Sequence, residues 1–126
     1  MLNDYGFAGA QWEAAKEQAK AVLVGVATRR GRIAYSELVA QINTLSLEPH
    51  DARLFHLLGE ISIEEDKAGR GMLTAIVVHK SGDMQPGPGF FELAKSLGKN
   101  TKDPLICWIY EFNKVHDHWA NGHERK

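Results

Sequence analysis

Residues Gly69 to Phe91 read GRGMLTAIVVHKSGDMQPGPGFF. Met72 to Val78 is an almost unbroken apolar run bounded by glycines. A run this short, with β-branched Ile76, Val77 and Val78, predicts a strand covered on both faces. His79 to Asp83 follows as a polar turn around Gly82. Gln85-Pro86-Gly87-Pro88-Gly89 then suits neither a helix nor a central strand. Phe90 and Phe91 come next and need burial. The stretch therefore predicts a stiff loop, carrying His79, Pro86, Gly87, Pro88 and Gly89, between a buried strand and an aromatic pair. Loops presented by a rigid scaffold are where binding groups concentrate. A plain structural connection onto the next helix is the competing expectation.

Working upstream, Trp12, Ala15, Ala19, Val22, Leu23 and Val26 recur at helical spacing, with Glu13, Lys16, Glu17 and Lys20 opposite. This helix, from Ala10, ends at Thr28-Arg29-Arg30-Gly31-Arg32, where Gly31 suits a left-handed cap. Arg32 to Tyr35 predicts a brief edge strand. Ser36 reads as the N-cap of a short helix to about Ile42, with Glu37 in its first turn. A further helix begins at His50 or Asp51. Leu54, Leu57, Leu58 and Ile61 form its apolar stripe, and Glu64 to Lys67 its charged end. Downstream, Phe90 to Leu97 predicts a helix closed by Gly98. Asp103-Pro104 opens the last helix, and Leu105, Trp108, Ile109, Phe112, Val115 and Trp119 make a wide stripe. The expectation is one mostly helical α+β domain over 1–126, with an ordered body over 10–119 and a tail over 120–126. It has a small sheet and a winged-helix-like middle; a helical bundle carrying a small hairpin is the alternative.

The composition is that of an ordinary globular domain, 44% hydrophobic and 25% charged over 126 residues. A formal net charge of -1 argues against a strongly basic nucleic-acid binder, though not against a local basic face. The single cysteine, Cys107, forbids an internal disulfide and fits a reducing cytoplasm. No stretch has the length and apolarity of a membrane span or a signal peptide.

Four groupings carry possible chemistry. Arg29, Arg30, Arg32, Tyr35, Ser36 and Lys80 are candidates for phosphate, sugar or base contacts, against a reading as solvated cations at a helix end. Glu60, Glu64, Glu65 and Asp66 form an acidic cluster, a docking face for a basic protein, a site with His79 for a divalent cation, or a solvated helix end. His79 with Glu64 and Arg70 is the most an enzyme reading can assemble, a small hydrolase. His116, His118 and His123 do not share one helix face, so no metal ion or cofactor is expected.

Tyr35, Glu37 and Leu38 within IAYSELVAQI, followed by helix, strand and turn, resemble the winged-helix part of the DNA alkyltransferase and alkyltransferase-like proteins. There a short strand with a tyrosine leads into the first of two DNA-facing helices. The resemblance spans less than half the chain. The reactive Pro-Cys-His-Arg motif is absent, and VVHK at Val77 to Lys80 is the nearest sequence, so alkyl transfer is not implied. GRGMLTAIVVHK with PGPGFFELA is also similar to small bacterial proteins without an assigned function. The leading expectation is a non-enzymatic, nucleic-acid-binding module. The alternative is an immunity- or antitoxin-type protein that masks a basic partner. The sequence leaves the oligomeric state open.

Overall fold

The computed structural model describes residues 9–44, 47–48, 52–79 and 86–121. In chain order these form α1 (Gly9–Thr28), β1 (Ile33–Ala34), α2 (Tyr35–Val39), α3 (Ala52–Lys67), a 3-10 turn (Leu73–Ile76), β2 (Val77–Val78), α4 (Pro88–Ser96), α5 (Pro104–His116) and a π-helical turn (Asp117–Asn121). The architecture is a mostly helical α+β one. Its only sheet among the described residues is a parallel pair, Ile33 against Val77 and Ala34 against Val78. The predicted N-terminal segment, the turn at Gly82 and the tail beyond Asn121 lie outside the described residues.

The helix periodicities hold where one face meets the core. In α1, Trp12, Ala15, Ala19, Leu23 and Val26 are buried as their spacing requires; in α3, Leu54, Leu57, Leu58 and Ile61 are. Asp103 caps α5, accepting from the Ile106 N–H, with Pro104 at the first helical position. Gly98, at φ 82, closes α4.

Several local expectations are corrected. Ser36 is not an N-cap: the helix begins at Tyr35, and the Glu37 carboxylate reaches back to the Ala34 N–H at 2.9 Å. At the end of α1 the left-handed residue is Arg30, at φ 55, not Gly31. Gly31 sits close against the helix, where an added Cβ would lie 3.3 Å from Val26 Cγ1 and 3.4 Å from the Val26 carbonyl oxygen. Pro88 and Gly89 belong to the first turn of α4, so only Pro86 and Gly87 of the proline-glycine run stay outside a helix. Proline at the first helical position loses no intrahelical bond, which is why the run can enter a helix.

The central run is the largest correction. Only Val77 and Val78 are strand, and Leu73–Ile76 is a buried 3-10 turn. A buried backbone outside a sheet must find partners elsewhere. Here the turn supplies some itself, the Ala75 N–H donating to the Met72 carbonyl at 2.9 Å, and side chains from two helices supply others. Glu111 accepts from the Met72 N–H at 3.0 Å, Ser62 from the Thr74 N–H at 3.2 Å, and Trp108 Nε1 donates to the Ala75 carbonyl at 2.7 Å. This rotates α5 away from its expected stripe. Glu111 and His116 are buried, while Leu105 and Ile109 are exposed.

The acidic end of α3 is likewise drawn inward. Glu65 is fully buried and takes two bonds from Arg70, at 2.8 and 2.6 Å, with Lys20 at 3.0 Å. Burial opposes ionisation of Glu65, but these donors and their charges outweigh it and hold the carboxyl below the usual range. A depressed folded-state value adds stability above the ordinary 4.5, lost as pH falls through the folded value. Glu65→Ala should lower stability by about 2 kcal/mol in urea unfolding, the stranded cations being partly hydrated, while exposed Glu64→Ala stays within about 0.5 kcal/mol. Glu65→Gln should also flatten the acid limb of the stability–pH curve below the ordinary value.

Candidate functional site

A cleft of about 330 Å³ opens between α3, the start of α4 and the residues beside the short sheet. Its walls are mostly apolar and aromatic, including Tyr35, Phe55, Phe90 and Leu93, with His56, Glu60, Thr74 and His79 as polar groups. That size and balance are those of a small-molecule or single-ring pocket.

Tyr35 organises it. The end of β1 and the first turn of α2 fix its position, and its ring is buried. Phe55 meets that ring edge-on at 5.7 Å, and His79 lies tilted at 5.2 Å. The phenol oxygen accepts from the Gly87 N–H at 3.0 Å, tying the proline-glycine run to the first turn of α2. Burial pushes the Tyr35 phenol up, partly offset by the Gly87 N–H, so the hydroxyl is neutral and keeps a proton to donate. Gly87 has ordinary backbone angles but sits tight against its neighbours: an added Cβ would lie 3.2 Å from His79 Nε2, so the imidazole would have to give by a few tenths of an ångström. On the opposite rim His56 Nε2 meets Glu60 at 2.9 Å, and Trp12 Nε1 donates to the other oxygen of Glu60 at 2.9 Å.

The structure therefore joins Tyr35, His79, Gly87, Pro88 and Gly89 around one cleft, with buried Pro86 adjoining them in sequence. Tyr35 cannot serve as an exposed phosphate contact, because its ring is packed. Arg29, Arg30, Arg32 and Ser36 are exposed at the junction between α1 and α2. Arg30 pairs with Asp117 at 3.1 Å. Lys80 lies outside the described residues.

The acidic cluster does not form a free face. Lys16 bridges Glu60 at 3.2 Å and Glu64 at 2.7 Å, Glu65 is buried as described, and Lys99 holds Asp66 at 2.6 Å. Burial disfavours the Lys16 charge, but Glu64 and Glu60 prevail and push it up to about 12. The hydrolase grouping is not assembled: Arg70 is engaged by Glu65 and Glu64 by Lys16, and neither bonds His79 among the described residues. No group of three His, Cys, Asp or Glu among the described residues is placed to hold a metal ion. Cys107 is buried on α5 outside this cleft, its thiol pushed up by burial and by Glu111.

Phe55, Gly59, Thr74 and Phe90 were not singled out by sequence as lining residues. Gly59 carried a signal: an isolated glycine inside an apolar helix costs about 1 kcal/mol against alanine and asks for a reason. Here it widens the cleft, with an added Cβ meeting only Leu93 at 3.9 Å. No protein-family model, curated protein or solved structure matches the chain. No helix among the described residues is long and apolar enough to cross a membrane.

Tyr35→Phe removes the acceptor of the buried Gly87 N–H. The expected result is a loss of about 1–3 kcal/mol in urea unfolding, with faster amide exchange at Gly87 and unchanged helical circular dichroism.

Proposed function

We propose that the chain is a non-enzymatic nucleic-acid-binding module built on the β1, α2, α3, β2 unit. The observation that supports it most is the distribution of charge. Glu60, Glu64, Glu65 and Asp66 are each taken up by a cation of the chain itself. Arg29 and Arg32 are exposed without a carboxylate partner among the described residues, on the turn that leads into α2. A net charge of -1 thus coexists with a locally cationic edge, and phosphate binding depends on the local field. The same pairing weakens the protein-masking alternative, since the carboxylates it needs are already bound.

Arg29, Arg32 and Ser36 contact phosphate, with Arg30 contributing once Asp117 releases it; Lys80 belongs to the same set by sequence. The aromatic cleft receives one unstacked base. A base ring lies against Tyr35, Phe55 or Phe90, and the Tyr35 hydroxyl and His79 address its polar edge. The connection between α2 and α3 spans residues 40–51, longer than the tight turn of a helix-turn-helix. Charge and cleft, not that motif, would carry the nucleic-acid contacts.

Fluorescence anisotropy with labelled duplex DNA, single-stranded DNA and RNA over a salt series tests this. Affinity should fall log-linearly with salt, and Arg29→Ala with Arg32→Ala should reduce the slope by about 2. No binding at low salt overturns the proposal. Gly59→Leu, which fills the cleft from α3, should weaken single-strand binding several-fold without changing the slope. An unchanged affinity removes the base from the cleft while leaving the phosphate contacts standing.

A further inference from the structure

Two hydroxyl protons on the wall of the cleft have no acceptor in the chain among the described residues. The first belongs to Tyr35. Its oxygen accepts from the Gly87 N–H, so that bond uses the acceptor side of the hydroxyl and leaves the proton unused. Tyr35 is only 7% exposed and lines the cleft, so its proton meets whatever the cleft holds.

The second belongs to Thr74. The Ser62 and Thr74 hydroxyls are bonded to each other, and the Ser62 oxygen also accepts from the Thr74 N–H. Ser62 is fully buried and lies off the cleft wall. With Thr74 as donor, the Ser62 proton would be stranded in the core at a cost of about 1–3 kcal/mol. Ser62 therefore donates to Thr74, and the Thr74 proton is left for the cleft that Thr74 lines.

Acceptors are scarcer on this wall. Glu60, the only carboxylate lining the cleft among the described residues, takes Trp12 and Lys16 on one oxygen and meets His56 with the other. His79, in ring contact with Tyr35, adds one acceptor nitrogen when neutral. A ligand that suits such a wall is rich in acceptors and poor in donors. Adenine and cytosine carry an amino group with two protons, and guanine carries an amino group and a ring N–H. Uracil and thymine present two carbonyls on either side of a single N–H.

We infer that the cleft selects the imide edge of uracil or thymine, with Tyr35 and Thr74 donating to the two carbonyls and His79 accepting the N–H. The inference rests on the reading that the cleft receives a base. Phe55 and Phe90 supply ring faces for it, and the volume of about 330 Å³ suits a single ring. A strand residue and a free nucleoside share this edge, so the test separates them.

Fluorescence anisotropy at low salt uses short labelled abasic strands that carry one central base, which removes stacking between neighbours as a source of preference. The thymine strand should bind at least about fivefold tighter than the adenine, cytosine or baseless strand. N3-methylthymine, which loses the N–H and adds bulk at the imide edge, should fall to the baseless level. Tyr35→Phe, compared where circular dichroism shows it folded, should abolish the preference, and Thr74→Ser should keep it. In parallel, free uridine should shift the Gly87 and Thr74 amide resonances of the full chain, and cytidine should not. Strands that bind equally whatever the base overturn the inference and leave the phosphate contacts standing. Uridine shifts without strand binding uphold the imide site and overturn the nucleic-acid reading. No strand binding and no uridine shift overturn both.

Discussion

A buried backbone that is not in a sheet has to be hydrogen-bonded by something else, and this protein is arranged around meeting that demand. The segment from Met72 to Ile76 runs through the middle of the molecule, and its residues are almost wholly buried. Only the two residues after it enter a ladder. The turn's own bonds satisfy part of the rest, the Ala75 N–H donating to the Met72 carbonyl, and Glu111, Ser62 and Trp108, from α5 and α3, each serve one further group. Each bond fixes the rotation of its helix as well as satisfying the backbone. The Ser62 hydroxyl is in turn bonded to that of Thr74, so a short polar network ties α3 to the segment inside the apolar core. Such a network specifies one arrangement only when every member is satisfied.

The same packing distributes charge. The acidic end of α3 is drawn against α1 and against the loop after α3, where Lys16, Lys20 and Arg70 meet it. Lys99, which follows α4, closes the far side on Asp66. Carboxylates that would otherwise form a repulsive helix end become cross-links between elements. The arginines at the end of α1 have no such call on them from this cluster. A near-neutral chain thereby presents a cationic edge and, on α5, an apolar one.

Much of this was legible along the chain. The stripes of α1 and α3 set which faces are buried, because their periodicity is intrinsic to the helix. Asp103-Pro104 marked the start of α5 and Gly98 the end of α4 through local backbone chemistry alone. The short strand before Tyr35 and its partner at Val77 were legible as strand candidates; their parallel pairing was not. The sequence groups His79 with the proline-glycine run in one loop and sets Tyr35 apart from them; the shared cleft emerged only with the bond from Gly87 to Tyr35 across 52 positions of sequence.

What the sequence determined by itself is therefore what depends on near neighbours: most helix positions, the caps at Asp103 and Gly98, the buried faces of α1 and α3, and the mostly helical class. Tertiary structure decided whatever depends on a partner distant in the chain. An apolar run rich in β-branched residues became a 3-10 turn because helices could satisfy its backbone where a full sheet was not available. A helix with two apolar faces buried the one carrying Glu111 and left Ile106 and Tyr110 in water, because one buried carboxylate was needed by a remote N–H. An acidic cluster that looks exposed on a single helix proved internally neutralised. Local energies bias such choices, but long-range hydrogen bonding and ion pairing are settled only when the elements meet.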